Sequence, residues 1–263
     1  MADVAVVGAG IMGSATAYAL AREGRDVTLY EQFEVGHTRG SSHGRSRIVR
    51  LAYPDLEFVE LARESFAVVQ PEAGIVRADK ALSVFARGLD VRENTKAHPG
   101  EVEADAVVVT AGSWVNELLD EPLDVKVTRE TLCYFRPDSG GRPIPSVVSF
   151  KPDGHTHDLY SLADPKHGLK AGVHHAGTEA DPNVPGEPEP ELIERITAWA
   201  RRTYRLADPD PVAAETCIYT TTPDHTFVLD RRGRAVVGSA CSGHGFKFAP
   251  AVGRRLAALA LAG

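Results

Sequence analysis

Cysteine is scarce in this sequence. Its 263 residues include three cysteines, Cys133, Cys217 and Cys241, and no two of them form a CxxC pair. Such spacing gives neither a disulfide framework nor a cysteine-based metal site, so we expect a reducing compartment. The first apolar run begins at residue 4, which leaves no room for a signal peptide. The sequence therefore predicts a cytoplasmic protein.

Long apolar runs and basic runs are also missing. No apolar run is long enough to cross a bilayer, which argues against a membrane protein. The net charge is −7 and no basic run offsets it, which argues against a nucleic-acid-binding surface. The densest basic stretch, residues 39–50, is interleaved with glycine, serine and histidine and indicates a local anion site. His174 and His175 stand apart from other metal-binding residue types, so no metal site is predicted.

A glycine-rich turn near the N-terminus is the strongest single pattern. An apolar run leads into Gly8, Gly10 and Gly13, a helix is predicted at residues 14–22, and a second apolar run ends at Glu31. Strand, glycine turn, helix, strand and acid in this order predict a dinucleotide site. Gly8 permits the tight turn, Gly10 the approach of a pyrophosphate and Gly13 close packing of the helix.

The groups that follow this turn favour the same ligand. Ile11 and Met12 lead into the predicted helix, whose N-terminus would offer unpaired N–H groups and a positive dipole end to phosphates. Glu31 is able to accept both hydroxyls of an unphosphorylated ribose. The pattern by itself leaves FAD and NAD open as the dinucleotide.

The rest of the chain falls into two parts that differ in the pattern of their apolar residues. The length suffices for one large domain or two modest ones, and 43% hydrophobic residues are typical of a globular protein. Residues 106–110 form an apolar run typical of a buried parallel strand and end at Ala111 and Gly112, where such sheets place ligands. From residue 125 onward, apolar and polar residues alternate in short segments, which predicts antiparallel strands. These strands are predicted at residues 126–129, 132–135, 147–150, 157–160 and 169–175.

We interpret the chain as an α/β protein in which a second, mainly antiparallel-sheet substrate domain interrupts a Rossmann-type domain. The nucleotide domain is predicted to comprise residues 1–124 and 213–263, and the substrate domain residues 125–212. The remaining predicted elements are helices at 55–69, 79–87, 191–204 and 250–261, strands at 213–219, 227–230 and 235–237, and a polar connection at 88–103.

A second glycine-rich turn, residues 242–248, precedes the last predicted helix. Gly243 and Gly245 expose backbone N–H groups, and His244 and Lys247 bring polar side chains to the same region. This combination suits an anionic ring edge or a carboxylate. Lys247 could equally be a solvated lysine on the surface, although its neighbours Phe246 and Phe248 favour an apolar setting.

Four motifs in a fixed order give the chain a resemblance to a known family. They are the turn at residues 8–13, the loop at 37–50, the segment 216–224 around Cys217 and the turn at 242–248. Together they resemble the monomeric sarcosine oxidase and N-methyltryptophan oxidase group of flavin amine oxidases. From its residue type alone, Cys217 would equally fit a small buried hydrophobe.

The resemblance implies FAD as the cofactor, and hence an FAD-binding Rossmann-type domain. Cys217 matches the cysteine that forms a thioether with the 8α-methyl group of FAD, so covalent attachment is expected. Arg47 and His43 match residues beside the isoalloxazine ring. The residues expected at the cofactor are Gly8, Gly10, Ile11, Met12, Gly13, Glu31, Ser42, His43, Ser46, Arg47, Ala111, Gly112, Cys217, Gly243, Gly245 and Lys247.

Other positions match the family's substrate and oxygen sites. Arg50 and Lys247 match the pair that holds the substrate carboxylate, Arg as a planar fork and Lys as a point charge. Lys170 matches the lysine near flavin N5 that promotes the reaction with O₂, since a cation stabilises the charge that develops on oxygen. With the pocket-lining histidines and tyrosine, the predicted catalytic residues are Lys170, Arg50, Lys247, His174, His244, Tyr219 and Arg47.

The resemblance implies oxidation of a secondary or N-methyl amino acid to an imine, which water hydrolyses, with release of hydrogen peroxide. We expect a small-molecule amine and O₂ as the partners, and a monomer. Three alternatives stay open: a cyclic amine or imine oxidase of a biosynthetic pathway, an NAD-dependent dehydrogenase and a catalytically impaired FAD-binding protein. Relative to the family, the chain lacks a large block between Val69 and Pro71 and a shorter one at residues 92–100, which puts the completeness of the substrate domain in doubt.

Overall fold

Two six-stranded sheets of different character make up most of the described fold, and a separate two-stranded sheet accompanies them. The computed structural model describes residues 2–50, 53, 55–65, 74–154, 156–239 and 241–262. Residues 66–69, the end of the helix predicted at 55–69, and the junction of Val69 and Pro71 lie outside the described residues. None of the helices in the described part is long and apolar enough to span a bilayer.

The strands are β1 (Ala2–Val7), β2 (Val27–Tyr30), β3 (Arg47–Val49), β4 (Gly74–Val76), β5 (Asp90–Arg92), β6 (Ala104–Val109), β7 (Lys126–Phe135), β8 (Val147–Ser149), β9 (Leu159–Asp164), β10 (Gly168–Val173), β11 (Thr178–Glu179), β12 (Ala213–Thr221), β13 (Val228–Arg232) and β14 (Ala235–Ser239). The α-helices are α1 (Ile11–Arg22), α2 (Leu56–Ser65), α3 (Ala78–Phe85), α4 (Pro190–Thr203) and α5 (Ala249–Leu261). Short 3₁₀ turns occur at Gly112–Glu117, Pro152–Gly154 and Gly245–Phe248.

The first sheet gathers the carboxyl ends of several strands at one edge. Its order is β13-β14-β6-β1-β2-β5, and every neighbouring pair is parallel except β13 with β14. β1, β2 and β6 each contain three or more consecutive buried residues, all apolar except Thr28, as expected of a parallel sheet that helices cover. Gly8, Glu31 and Thr110 directly follow these three strands, so they lie at the same edge of the sheet.

Helices α1 and α5 cover one face of this sheet and contact each other through their backbones. Ala15 and Leu20 of α1 share a buried apolar core with Val252 and Leu256 of α5. Gly253 lies where the helices cross, and an added Cβ atom there would lie 2.6 Å from the carbonyl carbon of Ala15. The observed approach of the two helices therefore depends on glycine at this position.

β7 is the centre of the second sheet, which is antiparallel. It pairs with β12 on one side and with β10 and β11 on the other, and β9 and β8 follow β10. In β10, Leu169, Ala171 and Val173 pack with α4 on one face, whereas Lys170 projects from the opposite face. A Rossmann-type parallel sheet joined to a mainly antiparallel one confirms the predicted fold class.

Sequence and structure differ at several elements, and the short strands β3, β4 and β11 are among those not predicted. α1 begins at Ile11, earlier than predicted, because its first turn is apolar and buried. The strands predicted at residues 126–129 and 132–135 are one strand, β7, in which a buried Glu130 is hydrogen-bonded and causes no interruption. The polar connection at 88–103 contains β5, an edge strand defined by its pairing with β2. The other predicted elements are present, with ends shifted by a few residues.

The division into domains at residues 124 and 212 stays a prediction, and strand pairing bears on its second boundary. β12 pairs with β7 along its 9 residues, whereas β13 and β14 join the parallel sheet. By strand pairing, the chain returns to the parallel sheet between β12 and β13.

We expect Gly253→Ala to lower the free energy of unfolding by about 1–3 kcal/mol, because the new methyl group would overlap the α1 backbone. In a helix without this contact the same change stabilises by about 1 kcal/mol. Urea unfolding monitored by circular dichroism measures the difference. Ala258→Ser on the exposed face of α5 is the control and should stay within about 0.5 kcal/mol. A Gly253→Ala protein more stable than wild type would contradict the packing.

Candidate active site

One cavity brings nearly all the predicted site residues together. Its walls come from the carboxyl-end edge of the parallel sheet and from the face of the antiparallel sheet opposite α4. Among the predicted residues, Gly13 and His43 are buried outside its lining. The predicted residues that line it are Gly8, Gly10, Ile11, Met12, Glu31, Ser42, Ser46, Arg47, Arg50, Ala111, Gly112, Lys170, His174, Cys217, Tyr219, Gly243, His244, Gly245 and Lys247.

The glycine turn forms a tight backbone cradle at one end of the cavity. Gly8 has φ of 100°, a region that favours glycine, and an added Cβ atom would lie 2.6 Å from the carbonyl oxygen of Thr110. At Gly13 an added Cβ atom would overlap the carbonyl oxygen of Gly8. The turn thus packs against the first helical turn and the end of β6 with no space for side chains.

Glu31 is fixed by the backbone next to this cradle. Its Oε2 accepts a hydrogen bond from the N–H of Ala9 at 2.9 Å, and its Oε1 accepts one from the N–H of Phe33 at 3.0 Å. The side chain is buried and lines the cavity. A carboxylate held in this way presents its remaining lone pairs to a ligand without a large loss of side-chain entropy.

Ser42 connects the loop at residues 37–50 to the start of α1. Its Oγ accepts a hydrogen bond from the N–H of Ile11 at 2.9 Å, and it lies 3.2 Å from the position of a Cβ atom on Gly10. The loop therefore reaches the positive end of the α1 dipole, where an anion is favoured.

Arg47 is held by backbone carbonyl groups of its own loop. Its guanidinium donates hydrogen bonds to the carbonyl oxygens of Ser41, His43 and Ser46 at 2.7, 2.6 and 2.9 Å. It also lies over the ring of Phe246, 5.3 Å from the ring centroid. The contacts involve no carboxylate, so this charge is available to an anion in the cavity.

Cys217 lies on the cavity face of β12, directly opposite Glu130 of β7. The side chain is buried, and burial raises the pKa of its thiol, while the charges of Arg47 and Lys170 act in the opposite direction. Neighbouring cations favour the thiolate, which is the reactive form of cysteine.

Lys170 is a buried cation in the middle of the sheet. It stands in β10 between Tyr134 of β7 and Leu162 of β9, and its Nζ lies 6.0 Å from the centroid of the Tyr134 ring. Burial, followed by the nearby charge of Arg47, lowers the pKa of Lys170 to about 7. Its position is set by strand register, because neighbours in β10 face the opposite side.

Arg50 and Lys247 share one aromatic ring. The Arg50 guanidinium carbon lies 4.6 Å, and the Lys247 Nζ 5.5 Å, from the centroid of the Tyr53 ring. Lys247 also donates a hydrogen bond to the carbonyl oxygen of His244 at 2.7 Å. Burial and then the charges of Arg50 and Arg47 lower the pKa of Lys247 to about 7. Two cations beside one ring, whose charges act on each other, favour the binding of an anionic group.

Three further predicted residues form the wall beside these cations. His174 Nδ1 and the Tyr219 hydroxyl are 3.4 Å apart, and an added Cβ atom on Gly243 would lie 2.5 Å from the Tyr219 ring. His244 donates from Nδ1 to the carbonyl oxygen of Ser242 at 2.7 Å, and its buried Nε2 has no hydrogen-bond partner among the described residues. Burial lowers the pKa of His244 to about 3, so this ring is neutral at pH 7.

Two residues with clear structural roles at the site were not predicted from the sequence. Glu130 accepts hydrogen bonds from the N–H groups of Ala176 and Gly177 at 3.1 and 2.9 Å and thereby anchors the loop that carries His174. Tyr160 lines the cavity opposite Gly172, whose lack of a side chain leaves space for the ring.

The cavity fits a dinucleotide redox cofactor. At one end a glycine cradle and a helix N-terminus suit a pyrophosphate, next to a fixed carboxylate suited to a ribose. At the other end cations and the unpartnered His244 Nε2 surround a space lined by Cys217 and Tyr219. The fold and the site together define a dinucleotide-dependent oxidoreductase.

The chain belongs to the DAO family of FAD-dependent oxidoreductases, whose family model matches residues 3–76 and 73–259. The glycine turn left FAD and NAD open as the dinucleotide, and this match identifies it as FAD. A probable sarcosine oxidase of Arabidopsis thaliana is 30% identical over 98% of this chain and 88% of its own length. The monomeric sarcosine oxidase of Bacillus sp. (strain B-0618) is 25% identical over 99% of this chain and 92% of its own length. The predicted resemblance to the sarcosine oxidase group is confirmed.

The relatives are longer than this chain. The two alignments run over 371 and 362 positions, more than the 263 residues of the chain, so the relatives contain residues that this chain lacks. The two matches to the family model meet at residues 73–76, close to the block predicted to be missing. The fold is nevertheless shared with NikD, an unusual amino acid oxidase essential for nikkomycin biosynthesis. Its open form has a TM-score of 0.84 at 20% identity, over 99% of this chain and 94% of NikD.

The lowered pKa of Lys170 predicts a pH dependence of stability. Between pH 7 and about 10.4, the unfolded chain binds a proton at Lys170 that the folded chain lacks, so stability rises with pH in this window. Below pH 7 both states bind the proton and the cost of the buried charge is fully present. Lys170→Met in the FAD-free protein should therefore raise the free energy of unfolding by roughly 2–5 kcal/mol at pH 6 and flatten the rise above pH 7. Urea unfolding at several pH values measures both effects.

The control for this prediction is Lys166→Met, which removes an exposed lysine of the neighbouring turn. Its pH dependence should equal that of the wild type. A Lys170→Met protein with unchanged stability at pH 6 and an unchanged pH slope would contradict a buried, destabilised cation at this position.

Proposed function

We propose that this protein is an FAD-dependent oxidase of a secondary or N-methyl amino acid, with O₂ as the electron acceptor. The observation that carries the proposal is one cavity in which Arg50 and Lys247 both lie beside the Tyr53 ring, while Lys170 borders the same cavity from β10 of the antiparallel sheet. This arrangement supports separate sites for a carboxylate and for oxygen. The names of the relatives, sarcosine oxidases, support an N-methyl amino acid as the substrate class.

In this proposal the nucleotide end of the cavity holds the ADP part of FAD. The Gly8–Gly13 turn and the start of α1 bind the pyrophosphate, and Glu31 accepts the ribose hydroxyls. FAD, when bound, would accept two electrons from the amine and pass them to O₂. The protein orients the reactants and supplies charge.

Arg50 and Lys247 orient the substrate. A guanidinium fork and an ammonium group bind the two oxygens of a carboxylate, which fixes the direction of the C–N bond to be oxidised. His174, Tyr219 and the neutral His244 form the wall around the amine and exclude water. The imine that leaves is hydrolysed in water to an aldehyde or keto acid and an amine.

Lys170 acts on the oxygen half of the reaction. Its cation, fixed by strand register and removed from solvent, stabilises negative charge that develops on O₂ during reduction to hydrogen peroxide. Because the pKa of Lys170 is close to neutral, substrates and cofactor groups of negative charge would favour its protonated form.

Cys217 is proposed to hold the flavin covalently. Its position on the cavity face of β12 and the neighbouring charges of Arg47 and Lys170, which favour the thiolate, support this role. A monomeric enzyme of the cytoplasm completes the proposal, supported by the monomeric bacterial relatives and by the scarcity of cysteine.

The carboxylate site is tested with Lys247→Met in a peroxide-release assay with sarcosine and other N-methyl amino acids. The KM should rise about 10- to 100-fold, the equivalent of one charge-assisted hydrogen bond, with a smaller change in kcat. Lys126→Met, which removes an exposed lysine, should leave both constants unchanged. An equal loss with amines that have no carboxylate would contradict the role of Lys247. Absence of peroxide from the wild-type protein with every N-methyl amino acid would favour the impaired flavoprotein instead.

The oxygen site is tested with Lys170→Met in stopped-flow experiments. Anaerobic flavin reduction by the amine should change less than about tenfold, whereas reoxidation by O₂ should slow about 100-fold or more, since one buried charge is lost. Lys170→Arg keeps a cation and should restore most of the reoxidation rate. Equal losses in both half-reactions would refute the assigned role.

Covalent attachment is tested by acid precipitation. The wild-type pellet should stay yellow, because a thioether survives denaturation, and the Cys217→Ser pellet should be colourless with FAD in the supernatant. Cys133→Ala, which changes a cysteine on the α4 side of the sheet, is the control and should give a yellow pellet. A colourless wild-type pellet would contradict the proposed thioether.

A further inference from the structure

Two free thiols border the same cavity, and the proposed function uses only one of them. Cys217 is buried on β12, and Cys241 is half-buried in the segment after β14. Both line the cavity. Cys241 also packs against the apolar cluster that Leu132, Cys217 and Tyr219 form. Cys241 stands just before the glycine-rich turn at residues 242–248 and has no role in any motif described above.

Each of the two sulfur atoms lies next to one partner of the same hydrogen bond. The Ser41 hydroxyl donates to the carbonyl oxygen of Ile218. Cys217 Sγ lies 3.9 Å from that carbonyl oxygen, and Cys241 Sγ lies 3.7 Å from Ser41 Oγ. The sulfur atoms thus lie at the two ends of one hydrogen bond. Cys217 belongs to strand β12, whereas Cys241 lies in the segment between β14 and the turn at residues 242–248 and packs against the cluster that contains Cys217.

We propose that Cys217 and Cys241 form a reversible disulfide in the FAD-free protein, and that this disulfide blocks attachment of the flavin. The inference rests on the proposed thioether at Cys217. A sulfur bonded to Cys241 has no thiolate with which to bond the flavin, so the chain accepts its cofactor covalently only after reduction. Cys241 is then a regulatory thiol of cofactor loading, and its ligand class is a low-molecular-weight disulfide.

The oxidation balances with oxidised glutathione as the electron acceptor. The more accessible thiolate, that of Cys241, attacks the glutathione disulfide, forms a mixed disulfide and releases one glutathione thiolate. The Cys217 thiolate then attacks Sγ of Cys241, and the second glutathione leaves. Two protein thiols lose two electrons, one glutathione disulfide gains them, and the two protons pass to the two glutathione thiolates. Dithiothreitol reverses the reaction by the same exchange.

The experiment uses the full-length chain made under riboflavin limitation, treated with oxidised glutathione or with dithiothreitol. After denaturation and alkylation, oxidised protein should carry the label on one cysteine and reduced protein on all three. Non-reducing peptide mapping should join Cys217 to Cys241. On addition of FAD, oxidised protein should retain about tenfold less acid-stable flavin than reduced protein.

Two variants separate the outcomes. Cys241→Ser should retain acid-stable flavin equally with and without oxidised glutathione, and Cys133→Ala should behave as wild type. Labelling of all three cysteines after oxidation, or a cross-link that includes Cys133, would overturn the proposed disulfide. If the reduced protein still retained acid-stable flavin, the proposed thioether at Cys217 would stand. If reduced wild-type protein retains no acid-stable flavin, the thioether at Cys217 fails and the proposed block of attachment fails with it.

Discussion

The concentration of positive charge in one cavity is the constraint on which the site depends. Arg47, Arg50, Lys170 and Lys247 all border it, and burial lowers the pKa of both lysines to about 7. Cations placed this close repel one another and have lost part of their hydration. An anion that enters the cavity removes both costs. Affinity for a carboxylate therefore comes from relief of repulsion as well as from the hydrogen bonds that the anion makes.

Strand alternation is what allows one sheet to provide both a core and a reactive wall. On β10, Leu169 and Ala171 pack with α4, and Lys170 between them faces the cavity. On β12, Cys217 and Tyr219 face the cavity, with Ile218 between them. A shift of one residue in the pairing of β10 would bury Lys170 against α4. The apolar packing on the far face thus fixes the register that the chemistry requires.

The sequence predicts the parts of the fold that depend on local pattern, and the resemblance predicts most of the cavity lining. The glycine turn, the apolar strands and the amphipathic helix α4 can be predicted from the sequence, because each follows a hydrophobic period or a steric requirement of its own segment. β5 cannot be predicted in this way, because this short edge strand is polar and is defined only by its pairing with β2. Glu130 likewise looks like a break between two strands, since the backbone groups that bind it lie far away in sequence. Cys241 falls outside every motif, and only the folded chain brings it to Cys217.

Folding and cofactor binding are linked through the same cavity. The cost of buried charge at Lys170 is present whenever the cavity lacks an anion, and it lowers the stability of the FAD-free chain. A ligand that binds the folded chain and not the unfolded chain stabilises it in proportion to the logarithm of its concentration over Kd. With a covalent bond at Cys217, as proposed, that stabilisation no longer depends on free cofactor. The redox state of the Cys217 thiol would then determine both whether the enzyme is active and how stable its fold is.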